Sequence, residues 1–371
     1  MKKANLLCLA LLGLFFTACH SNDDNDGDWS RSFDFAGLPR VGAVSFTMTV
    51  NDTAYAYVGL GRNDLKVNDS DKTLKDFWHF NGSDWAQIDS FPAAAQGRYG
   101  AVAFVIDGKA YVGTGMHPAV GPNEKNQYCN DFWVYDPKVN EKEKRWTKLE
   151  HSFPGQGRWG AVAFSLNGKG YVGTGFADGS QALKDMYEYD PATGWKSISF
   201  KGSTRGGAVA FVVGNKAVVC LGVSSATSST YCEDVCIFDG NEWKISPNPL
   251  RDLSGRSWDN DYARIPRAYA VAFTSSLNGG REKGYIATGS GSYAQTCWEY
   301  DVEDDRWDEV TGLPSLMSTR AYAVGFTLNN RGYVTLGGSG LTSVGDALVW
   351  KFTPGVEEDD DNDYSSNDWQ Y

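Results

Sequence analysis

Gly157-Arg158-Trp159-Gly160-Ala161-Val162-Ala163-Phe164 leads into Asn167-Gly168-Lys169-Gly170-Tyr171-Val172-Gly173-Thr174-Gly175, and then into Asp185-Met186-Tyr187-Glu188-Tyr189-Asp190-Pro191 and Trp195. A nearly identical stretch runs from Gly97-Arg98 to Trp146. Self-similarity over this length marks a repeat architecture. Six arginines count the copies: Arg40, Arg98, Arg158, Arg205, Arg267 and Arg320. Six tryptophans count them again: Trp29, Trp85, Trp146, Trp195, Trp243 and Trp307. Trp243 stands farther from the next arginine than the others do, because Ser246 to Ile265 is inserted there.

Each copy reads as four short strands. The first follows the arginine, as in Ala101-Val102-Ala103-Phe104-Val105, and the second is Lys109-Ala110-Tyr111-Val112-Gly113. Asp107-Gly108 separates them, a dipeptide suited to a two-residue hairpin because both central residues need positive φ. Asn167-Gly168 and Gly214-Asn215 take that place in later copies. The third strand is Asp131-Phe132-Trp133-Val134-Tyr135-Asp136, and the fourth begins at the tryptophan. No helical apolar period persists, so the fold class is all-β.

One such sheet buries little apolar surface alone, whereas six stacked radially share a core. The tryptophans are expected to pack between blades. The last copy stops near Val349-Trp350-Lys351-Phe352 without a terminal Trp strand. Trp29-Ser30-Arg31-Ser32-Phe33 precedes the first copy unpaired. The N-terminal strand is therefore expected to complete the sixth blade, leaving no open edge.

With the arginine before the first strand, Gly337-Gly338 or a Gly-Thr-Gly variant after the second, and the Tyr-Asp and Trp that follow, residues 29–354 resemble a six-bladed kelch-repeat β-propeller. The resemblance extends to the kelch superfamily that holds N-acetylneuraminate epimerases (mutarotases) and galactose oxidase. It implies fold more than function, since propellers host enzymes and binders alike.

Residues 1–18 resemble a bacterial lipoprotein signal peptide. A basic Met1-Lys2-Lys3 and an apolar Leu6 to Phe16 precede Cys19, which would carry the lipid. The apolar run is too short for a stable transmembrane helix. Residues 19–28 are polar and acidic, as expected of a flexible tether, and residues 355–371 form an acidic tail. The expected location is the outer membrane as a lipoprotein, surface-exposed or on the periplasmic face, with the lipid as the sole membrane contact. A net charge of −12 argues against nucleic acid as a partner.

Five cysteines remain after the signal: Cys129, Cys220, Cys232, Cys236 and Cys297. An oxidising envelope permits disulfides, and Cys220 is placed to bridge to either Cys232 or Cys236. Zinc lacks matching histidines near this cluster. His117 and His151 fall in loops expected on one face, but their spacing does not reproduce the copper set of galactose oxidase relatives. No metal or cofactor is expected.

The arginines stand where the chain enters each innermost strand. By the resemblance, they would ring the mouth of the central channel with Tyr99, Trp159, Tyr269 and Tyr322 beside them. Guanidinium groups bind carboxylates bidentately, and flat aromatics stack on sugars. The alternative is that an arginine present in every copy belongs to the repeat and satisfies backbone carbonyls. The loops on that face add Arg62-Asn63, Met116-His117, Phe176, Ser224-Ser225, Ser292-Tyr293 and Ser339, and the irregular residues that are the specificity candidates are the loop Leu65 to Lys75 and the insertion with Trp258, Asp259, Asp261 and Tyr262. The principal functional expectation is a non-catalytic envelope protein that binds a carbohydrate or a surface protein at the channel mouth. A sialic acid mutarotase is the alternative, with Asp178, Glu124 and Asp259 as loop acids. A copper-radical carbohydrate oxidase is a remote third.

Overall fold

The computed structural model describes residues 26–66, 72–121, 123–250, 260–317 and 320–359. Six four-stranded antiparallel sheets surround one axis. From the axis outward, blade 1 holds Val44–Val50, Thr53–Gly59, Phe77–Phe80 and Trp85–Gln87. Blades 2, 3, 4 and 5 repeat this order, with innermost strands Val102–Ile106, Val162–Leu166, Val209–Val213 and Val271–Ser275. Blade 6 takes Val324–Leu328, Arg331–Thr335 and Val349–Thr353 from the C-terminal part and Asp28–Arg31 from the other end. Trp29 faces Phe352 and Arg31 faces Trp350 across that closing pair. The strand thus begins at Asp28, inside the expected tether. The acidic tail's Asp359 donates its amide to Asp28 Oδ1 at 3.0 Å. The signal peptide and Cys19 lie outside the described residues.

Inner strands alternate buried and half-buried residues, as a strand with one face in the core must. The buried face carries cross-strand Phe–Tyr stacks. Phe104 and Tyr111 stand directly opposite with ring centroids 5.0 Å apart and planes 6° from parallel. Phe46–Tyr57, Phe164–Tyr171, Phe273–Tyr285 and Phe326–Tyr333 repeat the pair. The other face, with Ala103, Ala163, Ala210 and Ala272, lines a central channel of about 230 Å³. Four of the six outer tryptophans latch their blade to the one before, whereas the buried indole N–H groups of Trp243 and Trp307 make no such bond. Trp29 Nε1 donates to Thr311 O, Trp85 to Phe33 O, Trp146 to Asp89 O and Trp195 to His151 O, all at 3.0–3.1 Å.

The six arginines hold the blades' inner ends. All are 0–2 % exposed. After each second strand the chain passes through a left-handed residue: Leu60, Thr114, Thr174, Leu221, Thr288 or Leu336, with φ between 55° and 63°. Each of those residues offers its carbonyl to the guanidinium of its own blade's arginine, at 3.0–3.4 Å. A carboxylate at the start of the third strand neutralises the same guanidinium in five blades: Asp76, Asp131, Asp185, Asp234 and Asp346. The Arg40–Asp76 pair is bidentate, at 2.7 and 2.8 Å. In blade 5 Thr296 replaces the acid, and Arg267 is satisfied by neutral oxygens of Arg264, Ile265, Thr288 and Thr296. Burial without a carboxylate pushes the Arg267 guanidinium down to about 10.

The cysteines remain thiols. Cys129, Cys220, Cys232, Cys236 and Cys297 are all buried and unbridged. Cys236 sits directly opposite Val219, so Cys220, one residue on, points to the other face of the sheet. Cys220 packs with Val218 and Val235, whereas Cys236 packs with Ala217 and Val219. That opposition forbids a Cys220–Cys236 disulfide. Cys232 spends its thiol on Thr204 O at 3.7 Å. Burial raises Cys220 to about 12, so the thiolate needed for exchange is scarce. Reducing agent is therefore expected to leave the melting temperature unchanged, and a maleimide should label these cysteines only after denaturation. A mass shift of two hydrogens on reduction would contradict this.

Asp131→Ala strands a buried cation and should cost about 3–5 kcal/mol, read as a lowered chemical-denaturation midpoint. Thr296→Asp should raise the melting temperature, since Trp298 Nε1 already points at that position as Trp133 Nε1 points at Asp131. Burial alone would raise Asp76, Asp131 and Asp234, but their arginines outweigh it and hold all three below the ordinary value. Their stabilisation is complete above the unfolded carboxylate value of about 3.9. It is lost as pH falls through the depressed folded values, so thermal stability should drop steeply below about pH 4.

Candidate functional site

Two rings of backbone hydrogen bonds follow from the arginine arrangement. In one, the glycine after each left-handed residue donates to the carbonyl of the next blade's arginine. Gly61, Gly115, Gly175, Gly222, Gly289 and Gly337 bond Arg98, Arg158, Arg205, Arg267, Arg320 and Arg40 in turn, at 2.6–3.0 Å. In the other, the residue two beyond each arginine bonds its counterpart in the neighbouring blade. The donors run Gly42 to Tyr322, Gly100 to Gly42, Gly160 to Gly100, Gly207 to Gly160, Tyr269 to Gly207 and Tyr322 to Tyr269, at 2.8–3.2 Å. Each member has φ between 55° and 63°. The second ring is closed and encircles the axis where the channel meets the loops.

An aromatic cap lies over that ring. Tyr99, Trp159 and Phe176 form it with Met116, Val223 and Ala268, and half-buried Tyr128, Tyr231, Tyr269, Tyr322 and Leu341 border it. Trp159 and Tyr269 are parallel within 3° at 6.2 Å, and Tyr269 and Tyr322 stand 4.2 Å apart. Blades 2 and 3 supply their aromatic one residue after the arginine, with glycine next. Blades 5 and 6 put alanine first and tyrosine second. Blades 1 and 4 have glycine at the second position, and a Cβ on Gly207 would meet the Tyr269 ring at 2.5 Å. The cap is a packing solution in which four blades fill the axis and two make room.

The structure corrects the arginine reading. Arg40, Arg98, Arg158, Arg205, Arg267 and Arg320 do not line the mouth, because their side chains turn into their own blades to meet the left-handed carbonyls. Tyr99 and Trp159 are 1 % and 6 % exposed and act as packing. Tyr269 and Tyr322 are the expected aromatics that remain accessible. Tyr262 of the insertion is core, 2 % exposed, and accepts the Trp307 amide at 2.8 Å. Trp258 and Asp259 lie outside the described residues. Asp178 and Glu124 are exposed on the rim. His117 meets Gly97 O at 2.7 Å, while His151 lies beside Gly194 of blade 3. Among the described residues, no three His, Cys, Asp or Glu gather in a way that would hold a metal.

The position after each ring glycine stands at the rim: Arg62, Met116, Phe176, Val223, Ser290 and Gly338, each bridged to the residue after its blade's arginine. Arg62 is the charged member. Asp64 grips it at 2.6 and 2.9 Å, and its guanidinium lies 5.7 Å over the Tyr99 ring. Burial works to lower Arg62, but the bonds to Asp64 outweigh it and hold the guanidinium above its usual value. A guanidinium has five N–H groups, so a pair with one carboxylate leaves donors for another acceptor. Burial raises the phenols of Tyr99, Tyr269 and Tyr322, so all three are neutral donors at neutral pH. Beside Tyr231, Ser203, Thr204, Ser224, Thr230 and Glu233 line a cleft of about 640 Å³.

The arginine counter-ions were missed in the sequence, although an Asp opens the third strand in five copies. Asp64 carried no repeat signal and emerges only from the loop's path.

No family model matches the chain. Over 151 residues, 38 % of this chain, it is 33 % identical to the N-acetylneuraminate epimerase of Escherichia coli O9:H4 (strain HS) and to that of Shigella flexneri serotype 5b (strain 8401). The protein of the same name from Escherichia coli strain K12 is 32 % identical over the same length. The match spans 36 % of the length of these relatives. The solved structure of YjhT superposes with a TM-score of 0.61 at 20 % identity, covering 85 % of this chain and 95 % of that one. The shared architecture and the matched segment lead to one statement of kinship: the chain is a kelch-type six-bladed β-propeller similar to the N-acetylneuraminate epimerases.

Proposed function

We propose that the loop face binds an acidic monosaccharide of the sialic acid class over the aromatic cap. The observation that carries this reading is the rim pair Arg62–Asp64 beside Tyr99, on the same cap as the accessible phenols of Tyr269 and Tyr322. A sugar presents an apolar face to rings and hydroxyls to phenols. Its carboxylate fits the free donors of Arg62. The blade arginines are buried and five of the six are paired with an aspartate, so they give the mouth no ring of positive charge and recognition rests on stacking and directed hydrogen bonds. The hydroxyl-lined cleft beside Tyr231 gives room for a longer glycan.

A second reading, anomer exchange on the bound sugar, is favoured by the names of the relatives. The channel behind the cap supports placing either activity on the loop face. Its lining is Ala, Val, Ser and Gly, which supply no acid or base. The proposal includes an outer-membrane anchor: residues 1–18 act as the signal peptide and Cys19 carries the lipid.

Two measurements test this. N-acetylneuraminate should bind the purified protein in calorimetry, and Arg62→Ala should weaken it about tenfold or more while barely affecting the methyl ester. Absence of binding for the wild type sinks the acidic-sugar reading; equal losses for acid and ester assign Arg62 to packing. Metabolic labelling with a fatty acid should mark the protein, and Cys19→Ser should abolish the label.

A further inference from the structure

The cap continues into the cleft on blade 4. Val223 belongs to the cap's core and Tyr231 to its border, and a backbone bridge joins the two. Tyr231 also lines the cleft of about 640 Å³, as does Ser224, the residue after Val223. Both walls of the cleft are held by the protein itself. On one side the Ser203 amide donates to Asp234 Oδ2 at 2.8 Å, and Thr204 precedes the fully buried Arg205. On the other, Ile245, Ser246 and Pro249 come from the last strand of blade 4 and from the start of its insertion. Ser246 Oγ lies 2.8 Å from the Asp305 carboxylate, and Asn248 Nδ2 donates to the same group at 2.8 Å. The Ser246 and Leu250 amides bond Val235 O and Glu233 O at 2.9 and 2.8 Å. The volume falls in the range of about 300–1,000 Å³ that ligand clefts occupy, and such clefts are largely preformed.

Cap and cleft differ in chemistry. Thr204, Ser224, Thr230 and Tyr231 bring hydroxyls to the cleft, and among the described residues none of these hydroxyls has a hydrogen-bond partner. Ile245, 43 % exposed, and Pro249 add an apolar wall. The charged residues lining it are both acids, Glu233 and Asp234, and Arg205 engages Asp234. An acidic lining repels a carboxylate. Hydroxyls beside an apolar wall suit a neutral sugar, which presents both O–H groups and C–H faces. The cation of the rim, Arg62, stands on the other side of the cap. From it the cap steps to Tyr99, Trp159 and Tyr269 at 5.7, 5.8 and 6.2 Å, so a sugar held by Arg62 at one rim extends toward the cleft at the other.

We infer that cap and cleft are two subsites of one groove, and that its ligand is a glycan ending in the acidic sugar, with the neutral sugars behind it lying in the cleft. The inference rests on the acidic-sugar reading of this face and names the substrate class. It also separates the two activities proposed there. A terminal sugar is joined through its anomeric carbon, so it has no free anomeric hydroxyl and cannot exchange anomers while joined. A groove that holds the linked glycan therefore serves binding.

Calorimetry on the purified protein with N-acetylneuraminate, N-acetylneuraminyl-lactose and lactose tests the groove. The linked glycan should bind about tenfold or more tighter than the free acid, a gain that a few added hydrogen bonds supply. Lactose alone should bind most weakly. Thr230→Trp and Ser224→Trp, both at exposed loop positions, should each bring the two acids to within about threefold of each other. Arg62→Ala should weaken both acids alike. Equal affinity for free acid and linked glycan, or an advantage that survives both tryptophans, overturns the groove and leaves the acidic-sugar reading standing. Lactose binding as tightly as the linked glycan makes the cleft a separate site and overturns the groove as well. Absence of binding for both acids removes the reading on which the groove rests.

Discussion

Every blade depends on one guanidinium turned away from the pore. At the top of each second strand the chain takes a left-handed step, and that step leaves a carbonyl pointing into the sheet. The arginine of the same blade answers it, accepts a counter-ion from the third strand, and offers its own backbone carbonyl to the preceding blade. One residue thus ties three strands and two blades. Lysine, a point charge on a flexible stem, lacks the planar fork for this. An uncompensated buried cation is costly, which explains why the aspartate recurs with the arginine and why blade 5, with Thr296, is the odd one.

This arrangement decides where function can reside. Groups repeated in all six blades are consumed by closure, and the axis is shut by a ring of amides under an aromatic cap. The channel beyond holds small neutral residues. What is left for recognition is whatever departs from sixfold regularity: Arg62 where other blades have Met, Phe, Val, Ser or Gly, and Tyr269 and Tyr322 where others have Gly. The kinship with N-acetylneuraminate epimerases is one of architecture and of a segment, so chemistry must be argued from these departures.

The ring, its six sheets and the strand borrowed from the opposite end were legible because repeats and hairpin dipeptides act locally. Trp29 announced its pairing with Phe352 by having no partner nearby in sequence. The arginines misled for the same reason that they were easy to count. Periodicity reports that a residue matters to the unit, and it does not say which way the side chain points. The left-handed carbonyls that capture them are set by φ at Thr114 or Leu221, residue types that carry no such label. Cys220 and Cys236 looked bridgeable on neighbouring strands, but side-chain alternation sets them on opposite faces of the sheet.

The cap shows how a symmetric scaffold acquires an asymmetric site. Six equal side chains cannot fill one axis, so symmetry has to break there. Tyr99 and Trp159 enter from one position, Tyr269 and Tyr322 from the next, and glycines in blades 1 and 4 give way. An aromatic at the first position sits on unstrained backbone and ends up buried. One at the second lies within the hydrogen-bonded ring, is held at positive φ by both neighbours, and stays half-buried. The same packing problem therefore has a cheap solution and a strained one. The strained one occurs on adjacent blades, where it sets two half-buried tyrosine rings with centroids 4.2 Å apart beside the axis.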